Sequence, residues 1–124
     1  MTPNLAVHQL GKLQKKAGQA AKTLKSLSNK WRLMILCQLL GGEKSVGELL
    51  ATFDLSQSAL SQHLAVLRKQ GLVATRRESQ SIYYSIKGQE TPVILGALYN
   101  VYCATPEPPP KRRRSQPAAG AAEP

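Results

Sequence analysis

Between Ser56 and Ile86 the spacing of apolar residues changes period once, at Gly71, and that change constrains the fold more than any other feature of the chain. Before it, Leu60, Leu64 and Leu67 recur at i, i+4 and i+7, the stripe of an amphipathic helix. Ser56 is a good N-cap, able to accept a hydrogen bond from an otherwise orphaned amide. Gly71 is the residue type most often found just past a helix C-terminus. After it the period is two: Leu72–Thr75 leads into Arg76-Arg77, and Ile82, Tyr84 and Ile86 alternate with Ser81, Tyr83 and Ser85. The pattern predicts a helix, a stop, and a two-stranded hairpin with Glu78-Ser79-Gln80 as its tip. A hairpin alone is marginal, so its Ile/Tyr face must lean on helices. That leaves Arg76, Arg77, Gln80 and Tyr83 free to reach outward.

The helix has an unusual outer face. Ser58, Ser61, Gln62, Ala65 and Lys69 cluster opposite the leucines, short or neutral except the last. Surface helices normally carry Glu/Lys pairs there. Short hydrogen-bonding side chains suit the floor of a DNA major groove, where base edges offer donors and acceptors at close range. Taken alone, the helix is as well explained by ordinary amphipathicity, and the neighbouring segments decide. Ser45 caps a short helix just upstream, with Glu48 three residues on completing a capping box. Val46, Leu49 and Leu50 face inward, and Phe53-Asp54-Leu55 makes the turn. A short helix, a tight turn and a second helix with a polar face form a helix-turn-helix. A basic hairpin following it is a wing, poised for phosphates or the minor groove.

Charge points the same way. The chain of 124 residues carries a net +10, which calls for an acidic partner, nucleic acid or an anionic surface. Residues 105–124 hold four basic and two acidic residues, leaving +8 on residues 1–104. No run approaches the roughly 18 apolar residues that cross a bilayer, and no secretory signal is legible at the start. The reading is therefore one domain over 1–104, a disordered Pro/Ala-rich basic tail over 105–124, a cytoplasmic setting and no membrane.

Further upstream, Ala6, Leu10, Leu13, Ala17, Ala20, Leu24 and Leu27 alternate steps of four and three, the seam of a helix that docks on a partner subunit. Gly11 and Gly18 each weaken it by about 1 kcal/mol relative to Ala, so it depends on that docking. Asn29 caps a helix over Lys30–Leu40 that ends at Gly41-Gly42 and is apolar nearly all round, the pattern of a hub buried on every side. Thr91-Pro92 opens a last helix, cap then N1 proline. Its apolar residues, Leu95, Leu98 and Tyr102 among them, cover more than one face. With Leu10, Leu13 and Leu24 they are the expected interface of a symmetric homodimer, which a helix-turn-helix needs to read two half-sites about 34 Å apart. The architecture expected is mainly α with a small β-hairpin: a dimeric winged helix-turn-helix of five helices and a two-stranded wing.

The segments LKSLSNKWRLMILCQLL and SVGELLATFDLSQSALSQHLAVLRKQGLVATRRESQSIYYSI resemble the ArsR-type winged-helix repressors over about residues 20–104. The resemblance implies a DNA-binding repressor, not an enzyme, that leaves an inverted-repeat operator when an inducer binds. It implies base contacts from Gln57, Ser58, Ser61 and Gln62 and wing contacts from Arg76 and Arg77. Ser56, Lys69, Gln80 and Tyr83 complete the DNA-facing set. His63 points about 100° from the centre of the polar face, as a packing or phosphate-side residue. The family's metal sensors carry thiolates where this chain has Ser45 and Gly47, and soft metals need thiolates. The last helix likewise has no His, Asp or Glu from Pro92 to Ala104. No metal and no cofactor are expected.

Two cysteines remain, Cys37 on the hub helix and Cys103 at the chain's last helical turn. By periodicity Cys37 is a small core hydrophobe, whereas Cys103, before Pro-rich coil, is harder to explain as core. The arrangement resembles the family's dithiol subgroup, which senses sulfide, persulfide or oxidants by joining such a pair through a disulfide or polysulfide. The alternative is a metalloregulator using the same thiols for Cu(I) or As(III).

Overall fold

The computed structural model describes residues 6–104. In chain order these are α1 (Val7–Lys15), α2 (Ala17–Leu27), α3 (Lys30–Leu39), β1 (Lys44–Ser45), α4 (Val46–Thr52), α5 (Gln57–Lys69), β2 (Val73–Glu78), β3 (Ser81–Ile86) and α6 (Glu90–Tyr99). A π-helical turn, Asn100–Ala104, follows. The fold is mainly helical with a small antiparallel sheet, a winged helix-turn-helix. The chain divides into two compact units at Pro92, inside α6. The tail expected over 105–124 lies outside the described residues.

The first unit is built on the buried edge of α3. Asn29 caps α3 as its sequence position demands, its Oδ1 accepting from the amides of Trp31 and Arg32 at 2.9 and 3.1 Å. Ile35, Leu36 and Leu39 are buried, and with Leu27, Leu49, Phe53, Leu60, Leu64, Leu67, Leu72 and Val73 they make the core. The helix is not buried on every side, however. Met34 and Leu40 are about two-fifths and half exposed, and Cys37 is exposed. α3 contacts α2, α5 and β3, and elements on those sides cover only part of its circumference within one chain.

Three further departures from the sequence reading concern the first helix, the wing and the last helix. The helix expected to run unbroken from Ala6 to Leu27 is two helices, parted at Lys16, whose φ of −104° and ψ of 9° leave the helical region. Gly11 and Gly18 flank the break, and no residue of α1 is buried, so neither propensity nor packing holds one continuous rod. The wing is three-stranded, in order β1-β3-β2, because Lys44 and Ser45 pair with Tyr84 and Tyr83. β1 is only two residues long, too short to show a period. Helix α6 begins at Glu90, so Thr91 is not its cap; Thr91 is fully buried, its Oγ1 without a hydrogen-bond partner among the described residues. Among the described residues there are accordingly six α-helices rather than five.

In the second unit, Val93, Tyr99, Val101 and Tyr102 are exposed, Tyr102 by 79%. On the first unit Leu10, Leu13 and Leu24 are exposed as well. Leu98 keeps part of its surface, and Leu95, grouped with these residues by the sequence pattern, is already buried within the chain itself.

Candidate nucleic-acid interface

Local chemistry seats helix α5. Ser56 Oγ accepts from the Ala59 amide at 3.0 Å. At the other end Gly71 adopts φ +77°, the left-handed conformation that costs a glycine nothing. Its N–H reaches the Arg68 carbonyl at 3.0 Å, and that of Leu72 reaches Leu67 at 2.9 Å, a Schellman closure. Between these ends Leu60, Leu64 and Leu67 are at most 1% exposed. Fixing one face inward fixes the other outward.

The preceding helix is held equally firmly. Ser45 and Glu48 form the reciprocal capping box, 3.1 Å one way and 2.8 Å the other. Leu49 is buried, and the turn residue Phe53 sits edge-on to Trp31 of α3, ring centroids 6.2 Å apart. The helix-turn-helix angle is thus tied to the hub.

On the outer face Gln57, Ser58, Ser61, Gln62, Ala65 and Lys69 are all exposed. Among the described residues, the side chains of Gln57, Ser58, Ser61, Gln62 and Lys69 make no hydrogen bond or ion pair within the chain. Such donors and acceptors, unengaged and set on a rigid helix, are suited to base edges. Towards the wing this face borders a cleft of about 430 Å³ lined by Val46, Ser61, Ala65, Arg68, Lys69 and Tyr84. Arg68 went unassigned in the sequence reading, although its place in the last turn of the helix, one residue before Lys69, marked it.

His63 is half-buried on a different side of α5. Burial, and then the Arg32 guanidinium, hold its imidazole below the usual value.

The wing is organised differently. Strands β2 and β3 pair from Val73↔Ile86 to Glu78↔Ser81. The tip is only Ser79-Gln80, with Ser79 at φ +56°, a positive φ at the first loop position as in a type II′ connection. Glu78 therefore belongs to the strand. Arg76, expected to reach outward freely, is held. Its Nε and Nη2 donate to the two carboxylate oxygens of Glu43 at 3.0 and 2.7 Å, and its Nη1 to Glu78. The guanidinium carbon lies 4.8 Å from the centre of the Tyr83 ring. These contacts raise the Arg76 pKa further and lower that of Glu43. Arg77 and Gln80 are exposed, and Arg77 has no ion pair among the described residues. Glu43 was invisible as a partner because it lies 33 positions from Arg76.

The two cysteines are both exposed, Cys37 on α3 and Cys103 in the π-helical turn. Among the described residues no group of three or more His, Cys, Asp or Glu side chains is assembled that could hold a metal ion. Nor, among them, is any helix long and apolar enough to cross a membrane.

Comparison with known proteins places this geometry. A family model described as bacterial regulatory protein, arsR family, matches residues 29–75, from the α3 cap into β2. The transcriptional activator HlyU of Vibrio cholerae is 47% identical over 94 residues, covering 76% of this chain and 87% of that protein. The biofilm growth-associated repressor of Agrobacterium fabrum is 44% identical over 95 residues, covering 77% and 81%. Among solved structures, the transcriptional repressor BigR of Xylella fastidiosa matches with a TM-score of 0.73 at 41% identity, covering 77% of this chain and 97% of that one. Reduced HlyU from V. cholerae matches with a TM-score of 0.69 at 47% identity, covering 74% and 97%.

Proposed function

The chain belongs to the arsR family of bacterial regulatory proteins, and from that premise we propose that it is a cytoplasmic repressor with a thiol switch. In this reading a homodimer holds an inverted-repeat operator and releases it when reactive sulfur species or an oxidant link Cys37 to Cys103. Its relatives are transcriptional regulators, so the chain itself is a DNA-binding regulator rather than an enzyme. Operator contact falls to the unengaged face of α5, with Arg77 and Gln80 reaching from the wing. The exposed Leu10, Leu13 and Leu24 on the first unit and Tyr102 on the second support assembly into a dimer, since large apolar side chains left exposed on one chain can be covered by a second copy.

One observation carries the sensing half: both cysteines are exposed. A cysteine kept only as a small core hydrophobe would be buried. The relatives add support, since BigR is a repressor and HlyU has been solved in a form described as reduced. The chemistry balances without a cofactor. One thiolate attacks the sulfane sulfur of a low-molecular-weight persulfide, giving a protein persulfide and the parent thiol. The second cysteine then displaces hydrogen sulfide to close the disulfide. With hydrogen peroxide as the oxidant, two thiols yield one disulfide and two waters. A direct bridge needs Cα atoms within about 4.4–6.8 Å, and an inserted sulfur relaxes that requirement. Operator fit depends on the spacing of the two recognition helices, about 34 Å, so a covalent change in the supporting helices weakens binding.

The test is a gel shift on a palindromic operator with persulfide, peroxide, Cu(I) and As(III) in turn, the thiols followed by mass spectrometry. Persulfide is expected to release the wild type and to leave Cys37→Ser and Cys103→Ser bound. Release of either variant overturns the dithiol mechanism. Release by a metal alone, with no oxidised thiol, transfers the function to a metalloregulator.

A further inference from the structure

Helix α5 has a second flank, apart from its DNA-facing residues and on the side away from the wing. There a groove of about 440 Å³ is bounded by Lys22, Lys25 and Ser26 of α2, Arg32 of α3, Val66 of α5 and Gln70, the C-cap of α5. Every charged side chain lining it is basic. Lys22 and Lys25 stand three residues apart on α2, neighbours on one helix face. Both are exposed, and neither is ion-paired among the described residues. Arg32 is partly buried and fixed: its Nε donates to the Ser26 carbonyl at 2.7 Å and its Nη2 to that of Lys25 at 3.4 Å. The guanidinium thereby closes the C-terminal end of α2 and is held at the groove, with no carboxylate paired to it among the described residues. Its field reaches His63, where it adds to burial, the larger cause, in depressing the imidazole's proton affinity.

The position of the groove on α5 determines what it can take. At 100° per residue, Val66 and Gln70 lie roughly 80–120° around the helix from the centre of the Ser58, Ser61, Gln62, Ala65, Lys69 face. The cleft with Arg68 and Lys69 lies on the opposite flank. The recognition helix thus runs between two basic walls. A helix in the roughly 12 Å wide major groove has a phosphate strand on each side of it. We propose that Lys22, Lys25 and Arg32 form a phosphate-binding wall that takes the backbone of the strand away from the wing. This rests on the DNA-binding reading of α5. It gives α2, beyond the docking role its apolar seam suggests, a direct place in the DNA interface.

The test is the salt dependence of duplex affinity, measured by fluorescence anisotropy on the full chain with a labelled duplex of about 30 base pairs. Lys22→Gln/Lys25→Gln leaves Arg32 and its hold on α2 intact. Lys12→Gln/Lys15→Gln on α1 is the control with the same loss of charge. The groove variant is expected to flatten the slope of log affinity against log salt by about 1.8, roughly 0.9 for each phosphate that is no longer neutralised. The control is expected to keep the wild-type slope. An unchanged slope in the groove variant, or an equal fall in both variants, overturns the wall while leaving DNA binding by α5 intact. A wild type with no salt-dependent affinity overturns both readings together. Inorganic phosphate separates the two sources of the same chemistry. Saturable NMR shifts at Lys22, Lys25 and Arg32 at millimolar phosphate, with the duplex slope unchanged in the variant, would assign the groove to a free oxyanion and overturn the proposal.

Discussion

The recognition helix and the wing sit side by side and use their polar residues in opposite ways. On α5 the polar side chains of the outer face make no bond inside the protein among the described residues, while its apolar side and both ends are fully engaged. On the wing the most elaborate polar cluster turns inward: Arg76 is shared between Glu43, Glu78 and the Tyr83 ring. The difference teaches how to separate a reader from a brace. A reader is rigid in backbone and unengaged in side chain; a brace consumes its own charges to hold a shape. By that criterion α5 has the character of a reader and Arg77 and Gln80 stay exposed on the wing, whereas Arg76 with Glu43 ties the wing to the segment preceding β1.

The comparison can be broken most forcefully through the leucine stripe. Leu64→Ala removes a buried side chain beneath the reading face and is expected to cost about 2–5 kcal/mol in urea unfolding. Ala65→Ser, one residue away on the exposed side, should stay within about 0.5 kcal/mol of wild type. Equal effects would mean that the stripe does not seat the helix.

Next in size is base reading itself. Gln62→Ala should reduce discrimination between operator and random duplex by about 1–3 kcal/mol, with random-duplex affinity unchanged. Arg77→Ala should instead weaken both duplexes alike and flatten the salt slope by about 0.9. Matching profiles for the two variants would erase the distinction between reader and reach.

Ser56→Ala tests the helix end alone and should cost about 1 kcal/mol of stability. The brace is subtler, because its groups are exposed. Glu43→Gln is expected to leave the unfolding midpoint nearly unchanged and to steepen the salt slope as Arg76 is released towards phosphate. No change in slope would show that Glu43 does not hold the guanidinium away from DNA.

The smallest expected effects are pH windows, and they too separate the regions. Both His63 and Glu43 have folded pKa values below their ordinary ones, so in each case the unfolded chain binds more protons as the medium acidifies and stability falls. For His63 that loss begins below the ordinary value of 6.5. For Glu43 it begins only below 4.5. Urea midpoints measured from about pH 7.5 to 5 should lose the upper window in His63→Asn, whereas Glu43, fully exposed, adds little to the lower one. A wild-type midpoint that is flat between about pH 7 and 5.5 would contradict the burial of the imidazole.

Four helix ends decided within a few residues were legible from the sequence. Ser45 with Glu48, Asn29, Ser56 and Gly71 announce helix ends through bonds spanning two to five positions, and each forms in the structure. The leucines of α5 declare their buried face by period alone, and its polar face follows from theirs. What the tertiary structure decided involves partners far apart in sequence. Lys44-Ser45 becomes a strand only because Tyr83 and Tyr84 pass beside it. Arg76 meets Glu43 across 33 positions. Lys22 and Lys25 become one wall of a groove once α2 lies near α5. Cys37, small and apolar by pattern, is exposed because the single chain covers only part of α3. Backbone caps and hydrophobic period are properties of short segments, so sequence alone can carry them. Which charges meet, and which side chains stay exposed, depends on how those segments pack.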